Sequence, residues 1–153
     1  MTLTRDSLLF FDATCLIAAA GSPTGGSGFL LSVCQSGFLK ACSSPSVLVE
    51  AERNIAAKLP ASALGTYHLQ LATTPISLVS TPPKRAIQQY DSPFGKDAHV
   101  VASAVAAGAP YLLTLDRPLI QRLQQSGLAI VALTPGEFIQ TILPAHPDYS
   151  AIR

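Results

Sequence analysis

Four acidic residues could do chemistry together, although they lie far apart in the chain. Asp12 and Asp116 each follow a short apolar run. Glu50 lies in the second turn of one predicted helix, and Asp97 lies in the first turn of another. In an open parallel sheet, ligands bind at the carboxyl ends of the strands, where the following helices begin. We therefore expect the four carboxylates to converge on one rim of a sheet.

Carboxylates that converge in this way repel each other unless a cation lies among them. Lys96, Arg117 and Arg53 stand close in the chain to three of the acids, but side chains at adjacent helix positions point in different directions. The sequence thus predicts no cluster of protein cations that could neutralise the four acids, and favours a bound divalent ion. Mg²⁺ and Mn²⁺ prefer carboxylate and water ligands, and Mg²⁺ also binds substrate phosphate oxygens. The predicted chemistry is cleavage of a phosphodiester or phosphoryl bond by metal-activated water.

Asp97 and Glu50, taken singly, each allow a simpler interpretation. Asp97 shares a helical stripe with Val101, where a carboxylate is costly to bury without a partner, but a simple acid at a helix N-terminus is the alternative. Glu50 flanks the apolar face of its helix no better than Glu52 does, and alone it is typical of a solvated helix acid. Asp91 precedes Asp97 in a loop and is an alternative metal ligand.

The order of apolar runs and helical patterns predicts an α/β domain in which helices cover a buried, mainly parallel sheet. Two helix starts are well marked, because Ser44 precedes Pro45 and Thr134 stands three positions before Glu137. Strands are predicted at Ser7–Phe11, Phe38–Cys42, Ile76–Val79, Tyr111–Leu115 and Leu128–Leu133. Helices are predicted at Ala13–Ala20, Phe29–Ser36, 45–59, Ala61–Ala72, Lys84–Tyr90, Lys96–Ala107, Arg117–Gln125 and 135–143, with a glycine-rich loop at Thr24–Ser27. No repeat or linker interrupts the chain, so we expect one domain, residues 1–143, and a loosely held tail, residues 144–153.

The bulk composition excludes several classes of protein. Of the 153 residues, 12% are charged, whereas an ordinary globular chain carries roughly 25%. This low charged fraction, together with 48% hydrophobic residues, rules out a disordered or strongly basic protein. Ten Lys and Arg against nine Asp and Glu give a net charge of +1, so any electrostatic function must be local. No apolar run approaches the ~20 residues of a membrane span, and Asp12 interrupts the N-terminal apolar patch, which disfavours a signal peptide. We therefore expect a cytoplasmic protein whose three cysteines are reduced, buried thiols.

Three segments resemble the PIN domain in order and spacing, namely FFDATCLIAA, SPSVLVEAERNI and KDAHVVASAVAAGAPYLLTLDRPLI. The PIN pattern has an Asp that closes the first strand, a hydroxyl or amide residue two positions on, and a Glu in a following helix. It continues with an Asp that opens a late, Ala-rich helix and a Thr-x-Asp that ends the next strand. The resemblance covers residues 7–143 and is closest to bacterial toxin-type, VapC-like PIN proteins.

This resemblance implies a three-layer α/β/α sandwich with a mainly parallel central sheet. It also implies a Mg²⁺- or Mn²⁺-dependent endoribonuclease that hydrolyses single-stranded or structured RNA. The residues that match the catalytic, metal-binding acids of the family are Asp12, Glu50, Asp97 and Asp116. Thr14 matches the polar position after the first Asp, and Thr114 matches the Thr before the last one, so both are expected to support the active site.

One departure from the family pattern keeps a second hypothesis open. Arg117 and Pro118 follow Asp116 where many members carry another acid or a polar residue. The alternative is a PIN-fold module that binds RNA or protein with weak or no catalysis. A phosphatase of the haloacid dehalogenase type is disfavoured, because Thr14 stands where that class needs a second Asp.

Few cations are available to hold RNA, and Lys96, Arg117 and Arg53 are the candidates beside the acids. Tyr90 and Phe94 could stack on bases, but aromatic residues beside a Pro-rich loop are more often packing anchors. The low charge fraction favours apolar surface buried between subunits, and hence a homodimer. The resemblance implies an antitoxin protein as a further partner, and no membrane partner is expected.

Overall fold

A computed structural model describes residues 2–152 of the chain. Five strands form one sheet in the order β3-β2-β1-β4-β5, every neighbouring pair is parallel, and helices cover the sheet. The predicted α/β class, a three-layer α/β/α sandwich, is therefore confirmed. Met1 and Arg153, the outer ends of the predicted domain and tail, lie outside the described residues.

The strands are β1 (Leu8–Phe11), β2 (Lys40–Ser43), β3 (Ile76–Leu78), β4 (Tyr111–Leu113) and β5 (Val131–Leu133). The helices are α1 (Ala13–Gly21), α2 (Gly26–Gln35), α3 (Pro45–Lys58), α4 (Ala61–Thr73), α5 (Lys84–Gln88), α6 (Asp91–Phe94), α7 (Ala98–Ala107), α8 (Arg117–Ser126), α9 (Pro135–Thr141) and α10 (Tyr149–Ile152). Short 3₁₀ turns occupy Gly95–Asp97 and Leu143–Ala145.

The central strand β1 explains the apolar run with which the domain opens. Leu9 lies opposite Ala41 of β2 on one side and opposite Tyr111 of β4 on the other. Leu9, Phe10 and Phe11 are all fully buried, because a central strand of a parallel sheet is covered on both faces. Burial of consecutive side chains thus accounts for a run without polar alternation.

Side-chain caps fix the helix starts that the sequence marked. The Ser44 hydroxyl accepts a hydrogen bond from the Val47 backbone N–H at 3.2 Å. Thr134 and Glu137 form the reciprocal capping box predicted for α9. Such caps satisfy backbone N–H groups that have no partner within the helix.

Several predicted boundaries differ from the structure, among them the starts of β2 and β5. Two more are wrong because backbone geometry overrides the local pattern. The stretch Thr24–Ser27 is not all loop, since α2 begins at Gly26. A Cβ at Gly28 would lie within 2.0 Å of the Pro23 carbonyl oxygen, so this glycine allows the close approach of the chain just before α2. The helix predicted from Lys96 begins instead at Ala98 as α7, because Gly95, with φ 55°, breaks the chain into a separate 3₁₀ turn.

The tail after residue 143 is held rather than loose, so that expectation is wrong for residues 144–152. The buried His146 donates from Nε2 to the Phe38 carbonyl at 2.6 Å and accepts at Nδ1 from the Asp148 backbone N–H at 2.9 Å. Asp148 also forms an ion pair with Arg5 at 2.8 Å. Polar residues of the tail thus bind the Phe38 carbonyl and the Arg5 side chain. The polar composition that predicted a loose tail instead reflects these contacts.

The three cysteines, Cys15, Cys34 and Cys42, are buried and unpaired, as predicted. Burial raises the pKa of each thiol, to about 12 for Cys34 and Cys42. Between residues 2 and 152, no single helix has the length and apolar character to cross a membrane, although α1 and α2, bent by 97°, would meet the criterion as a pair.

Candidate functional site

Asp12 is the most buried of the four predicted acids. It follows β1 and precedes α1, and its backbone N–H donates to the Leu113 carbonyl at 3.0 Å, which fixes it between two strands. Only 6% of the residue is exposed. Its Oδ2 accepts hydrogen bonds from the hydroxyls of Thr114 at 2.7 Å and Thr14 at 3.2 Å. The carboxylate is therefore oriented by one hydroxyl from α1 and one from the residue after β4.

The two threonines also tie this carboxylate to the loop that follows β4. Thr114 Oγ1 accepts from the Asp116 backbone N–H at 3.1 Å, and Thr14 Oγ1 accepts from the Leu115 backbone N–H at 3.0 Å. The two hydroxyls lie 3.2 Å apart. Because each hydroxyl accepts from the backbone, its single proton is free to be donated. Both predicted supporting residues thus contact the first acid directly.

Burial raises the pKa of the Asp12 carboxyl, because a charged group loses solvation inside the protein. The hydrogen bonds from Thr114, from the Ala13 backbone and from Thr14 act in the opposite direction. The negative charge of Glu50 raises the pKa of Asp12 further. Glu50 is exposed on α3, and its charge acts on the buried acid across the rim.

Asp97 ends the 3₁₀ turn before α7, and its side chain is 16% exposed. Burial raises the pKa of its carboxyl, and the charges of Asp116 and Asp12 raise it further. Lys96 and Arg122 lower this pKa. The charges of Asp116 and Asp12 thus act on Asp97, and the charge of Glu50 acts on Asp12, so each of the four predicted acids interacts electrostatically with at least one other.

Arg122 is the residue that the sequence analysis missed. Its Nη2 donates to Asp97 Oδ2 at 3.0 Å, so one protein cation pairs with one of the four acids, although no cluster of cations was expected there. Arg122 is not a chain neighbour of any acid, and α8 brings it there by packing beside α6, which directly precedes the turn that holds Asp97. Its spacing of three from the buried Leu119, along the edge of the buried face of α8, is the signal that could have found it.

Asp116 has a structural role as well. It is the N-cap of α8, and its Oδ1 accepts from the Leu119 backbone N–H at 3.3 Å. Such a contact holds the carboxyl group in place and stabilises the helix. The carboxyl group is therefore held at the rim, and its charge raises the pKa of Asp97.

The structure also distinguishes between neighbouring acids on the same elements. Glu52 is paired with His68 at 3.0 Å, while the charge of Glu50 acts on Asp12. Asp91 was expected in a loop, and that expectation is wrong, because the residue is exposed at the start of the short helix α6. The carboxylates that act on Asp97 are Asp116 and Asp12. These contacts favour Glu50 over Glu52 as the site residue on α3.

The side chains predicted to contact RNA differ in whether they are exposed and whether they already have a partner. Lys96 is exposed beside Asp97. Arg117 forms a weak exposed pair with Glu137 at 3.5 Å. Arg53 lines a surface groove with Glu50. Phe94 is buried and packs against Tyr90 with ring centroids 6.2 Å apart, so it is a packing anchor.

The donor set fits a hard divalent cation in its chemistry, since all four acids offer oxygen ligands. Burial raises the pKa of both Asp12 and Asp97, and neighbouring carboxylates raise both pKa values further, an effect that a cation at the rim would oppose. Within residues 2–152, no three His, Cys, Asp or Glu side chains lie together as a ready-made metal site. The side chains are thus gathered at one rim without forming a closed ligand cluster.

No family model and no curated protein sequence matches this chain. Among solved structures, it is similar to the one described as "Crystal Structure of PAE2754 from Pyrobaculum aerophilum". The TM-score is 0.62 at 17% sequence identity, and the match covers 90% of this chain and 95% of the other. This similarity shows the fold. It extends over nearly the full length of both chains, so the fold is shared as a whole rather than in one segment.

Proposed function

We propose that the protein is a divalent-metal-dependent endoribonuclease that hydrolyses phosphodiester bonds of single-stranded or structured RNA. The observation that supports this best is the rim itself, where the buried Asp12 and the half-buried Asp97 have pKa values raised by burial and by other carboxylates. Clusters of acids with perturbed pKa values are more common at functional sites than elsewhere. The PIN resemblance assigns the same positions to catalysis.

The residues that would hold Mg²⁺ or Mn²⁺ are Asp12, Glu50, Asp97 and Asp116. When bound, the ion supplies an activated water and stabilises charge on the leaving oxygen. Thr114 and Thr14 orient the Asp12 carboxylate by donating to its Oδ2. Orientation of this kind limits the reorganisation that the site needs during reaction.

The ion pair between Arg122 and Asp97 favours a second candidate function. An arginine that already neutralises one acid reduces the attraction of the rim for a metal ion. A PIN-fold module that binds RNA or a protein partner through the same rim, with weak or no catalysis, would need no further cation there. The two candidates differ in whether RNA is cleaved.

We further propose that the protein acts in the cytoplasm as a homodimer, as the toxin of a pair with a small antitoxin protein. The low charge fraction supports burial of surface between subunits. Lys96, Arg117 and Arg53 are the cations proposed to contact the RNA substrate. Light scattering of the purified protein tests the dimer, and a monomer at micromolar concentration would exclude it.

Cleavage of a labelled single-stranded RNA tests the catalytic proposal. We expect cleavage with Mn²⁺ or Mg²⁺, none in excess EDTA, and a loss of at least about 100-fold in Asp97→Asn, because a metal ligand is removed. Asp91→Asn is the matched control, since it removes an exposed acid from the neighbouring turn. Activity in EDTA, or equal activity in both variants, would exclude the proposal and leave the binding module.

A further inference from the structure

A surface groove with a volume of about 580 Å³ opens beside Glu50. It is lined by Pro45, Ser46, Val49, Glu50, Arg53 and His99. Four of these form one stripe of α3, because positions 46, 49, 50 and 53 follow helical spacing, and His99 comes from α7. The groove therefore starts at the candidate site and continues along α3.

The lining combines an available cation with an exposed apolar surface. Arg53 makes no ion pair or hydrogen bond within residues 2–152, although Glu50 is its neighbour on the same helix face. Val49 is 53% exposed, which leaves its apolar side chain open to contact in the groove. A ligand that carries both an anion and a flat apolar face would satisfy both groups.

His99, which is half-buried, adds an aromatic ring on the other side of the groove. Its Nδ1 has no hydrogen-bond partner in the described part of the chain but is closed off from solvent, so a ligand in the groove can reach only the rest of the ring. The imidazole ring also offers a face on which a planar group can stack.

We propose that this groove binds one nucleotide of single-stranded RNA beside the phosphodiester that is cleaved. Arg53 contacts a phosphate, and Val49 and the His99 ring contact the base. A volume of about 580 Å³ lies within the range of about 300–1,000 Å³ that is usual for small-molecule sites. Glu50 repels phosphate, so the phosphate binds at the Arg53 end of the groove. The assignment of the cleaved bond rests on the proposed ribonuclease function, whereas nucleotide binding itself does not.

Binding of a fluorescein-labelled single-stranded oligoribonucleotide, measured by anisotropy in EDTA, tests the phosphate contact. Arg53→Gln should weaken binding about fivefold at 0.1 M salt and reduce the slope of log K against log salt by about 0.7, as expected for one lost phosphate contact. Arg85→Gln is the matched control, because Arg85 is also exposed but lies on α5. We expect it to leave affinity and slope unchanged.

Titration with 5′-AMP, followed by the imidazole NMR signals, tests the base contact. The chain has three histidines, so each serves as a reference for the others. The His99 signals should shift with saturation, while those of the exposed His68 and the buried His146 stay in place. Equal shifts in all three would overturn the base contact.

The possible outcomes separate the two proposals. Equal effects of Arg53→Gln and Arg85→Gln, or the absence of saturable RNA binding, overturn the groove proposal even if Asp97→Asn still abolishes cleavage. Specific binding through Arg53 and His99 without metal-dependent cleavage confirms the groove and excludes the ribonuclease. Binding of a protein in place of RNA would likewise overturn it.

Discussion

The two ends of the parallel strands differ in how their charged side chains are paired. At the edge where the strands begin, ionised groups are paired, as in the Arg5–Asp148 pair at 2.8 Å and the Lys40–Asp6 pair at 3.1 Å. At the edge where the strands end lie the carboxylates of Asp12, Asp97, Asp116 and Glu50, and Asp97 is the one of these that forms an ion pair among the described residues, with Arg122.

This difference shows what each edge can do. Paired charges and a fully hydrogen-bonded His146 hold the tail in place and offer little to a ligand. Accumulated carboxylates with raised pKa values cost stability in the free protein, and binding of a cation would recover that cost. We therefore assign stability to the first edge and function to the second.

The largest effect on stability should come from the paired edge. His146→Ala removes a buried ring and two hydrogen bonds, which should lower the free energy of unfolding by about 2–4 kcal/mol. Urea denaturation measures this loss, and RNA cleavage by the folded protein should not change. His68→Ala, which removes an exposed His paired with Glu52, should cost less than about 0.5 kcal/mol. Equal losses in the two variants would contradict this account of the tail.

The next effect concerns the threonine that holds Asp12. Thr114→Val keeps the side-chain shape but removes the donor to Asp12 Oδ2 and the acceptor of the Asp116 N–H. We expect a loss of about 1–3 kcal/mol in denaturation. The pKa of Asp12 should also rise further, because the Thr114 hydrogen bond lowers it. Thr141→Val, at an exposed helix position, is the control, and a loss no larger than its own would show that the network is unimportant.

The sequence predicted some of these relationships and could not predict others. Asp12 and Asp116 were found because each ends an apolar run, which is a local signal of a buried parallel strand. The caps at Ser44 and Thr134 also have local signals. The Arg122–Asp97 contact depends on how α8 packs, and the Arg5–Asp148 pair joins residues 143 positions apart. Chain spacing alone does not fix either contact, so both needed the tertiary structure.

Substitution of Arg122 should have two smaller effects, a loss of stability and a gain in Mn²⁺ affinity. Arg122→Met leaves Asp97 without its partner, which should cost about 1 kcal/mol in the metal-free protein because the pair is partly exposed. The same change should tighten Mn²⁺ binding about tenfold, because a positive charge beside the acids is removed. Arg117→Met, whose exposed pair with Glu137 spans 3.5 Å, should do neither. Weaker Mn²⁺ binding in Arg122→Met would mean that this arginine supports the metal site.

The smallest effect is the pH dependence of Asp12. Its pKa is raised in the folded protein, so the folded state holds the Asp12 proton more tightly than the unfolded state does. The contribution of this group to stability therefore falls as pH rises from about 4 through the raised pKa. In EDTA, Asp12→Asn should raise the melting temperature at pH 7, and the gain should shrink towards pH 4. A gain that is equal at both pH values would show that ionisation of Asp12 is not its cause.

Calorimetric titration of the metal-free protein with Mn²⁺ tests the central claim most directly, namely that the carboxylates at the strand ends form a cation site. The account predicts saturable binding to the wild-type protein, a loss of that binding in Asp97→Asn and in Asp12→Asn, and unchanged binding in Asp91→Asn. Absence of saturable Mn²⁺ binding to the wild-type protein, or binding that is the same in all four proteins, would contradict it.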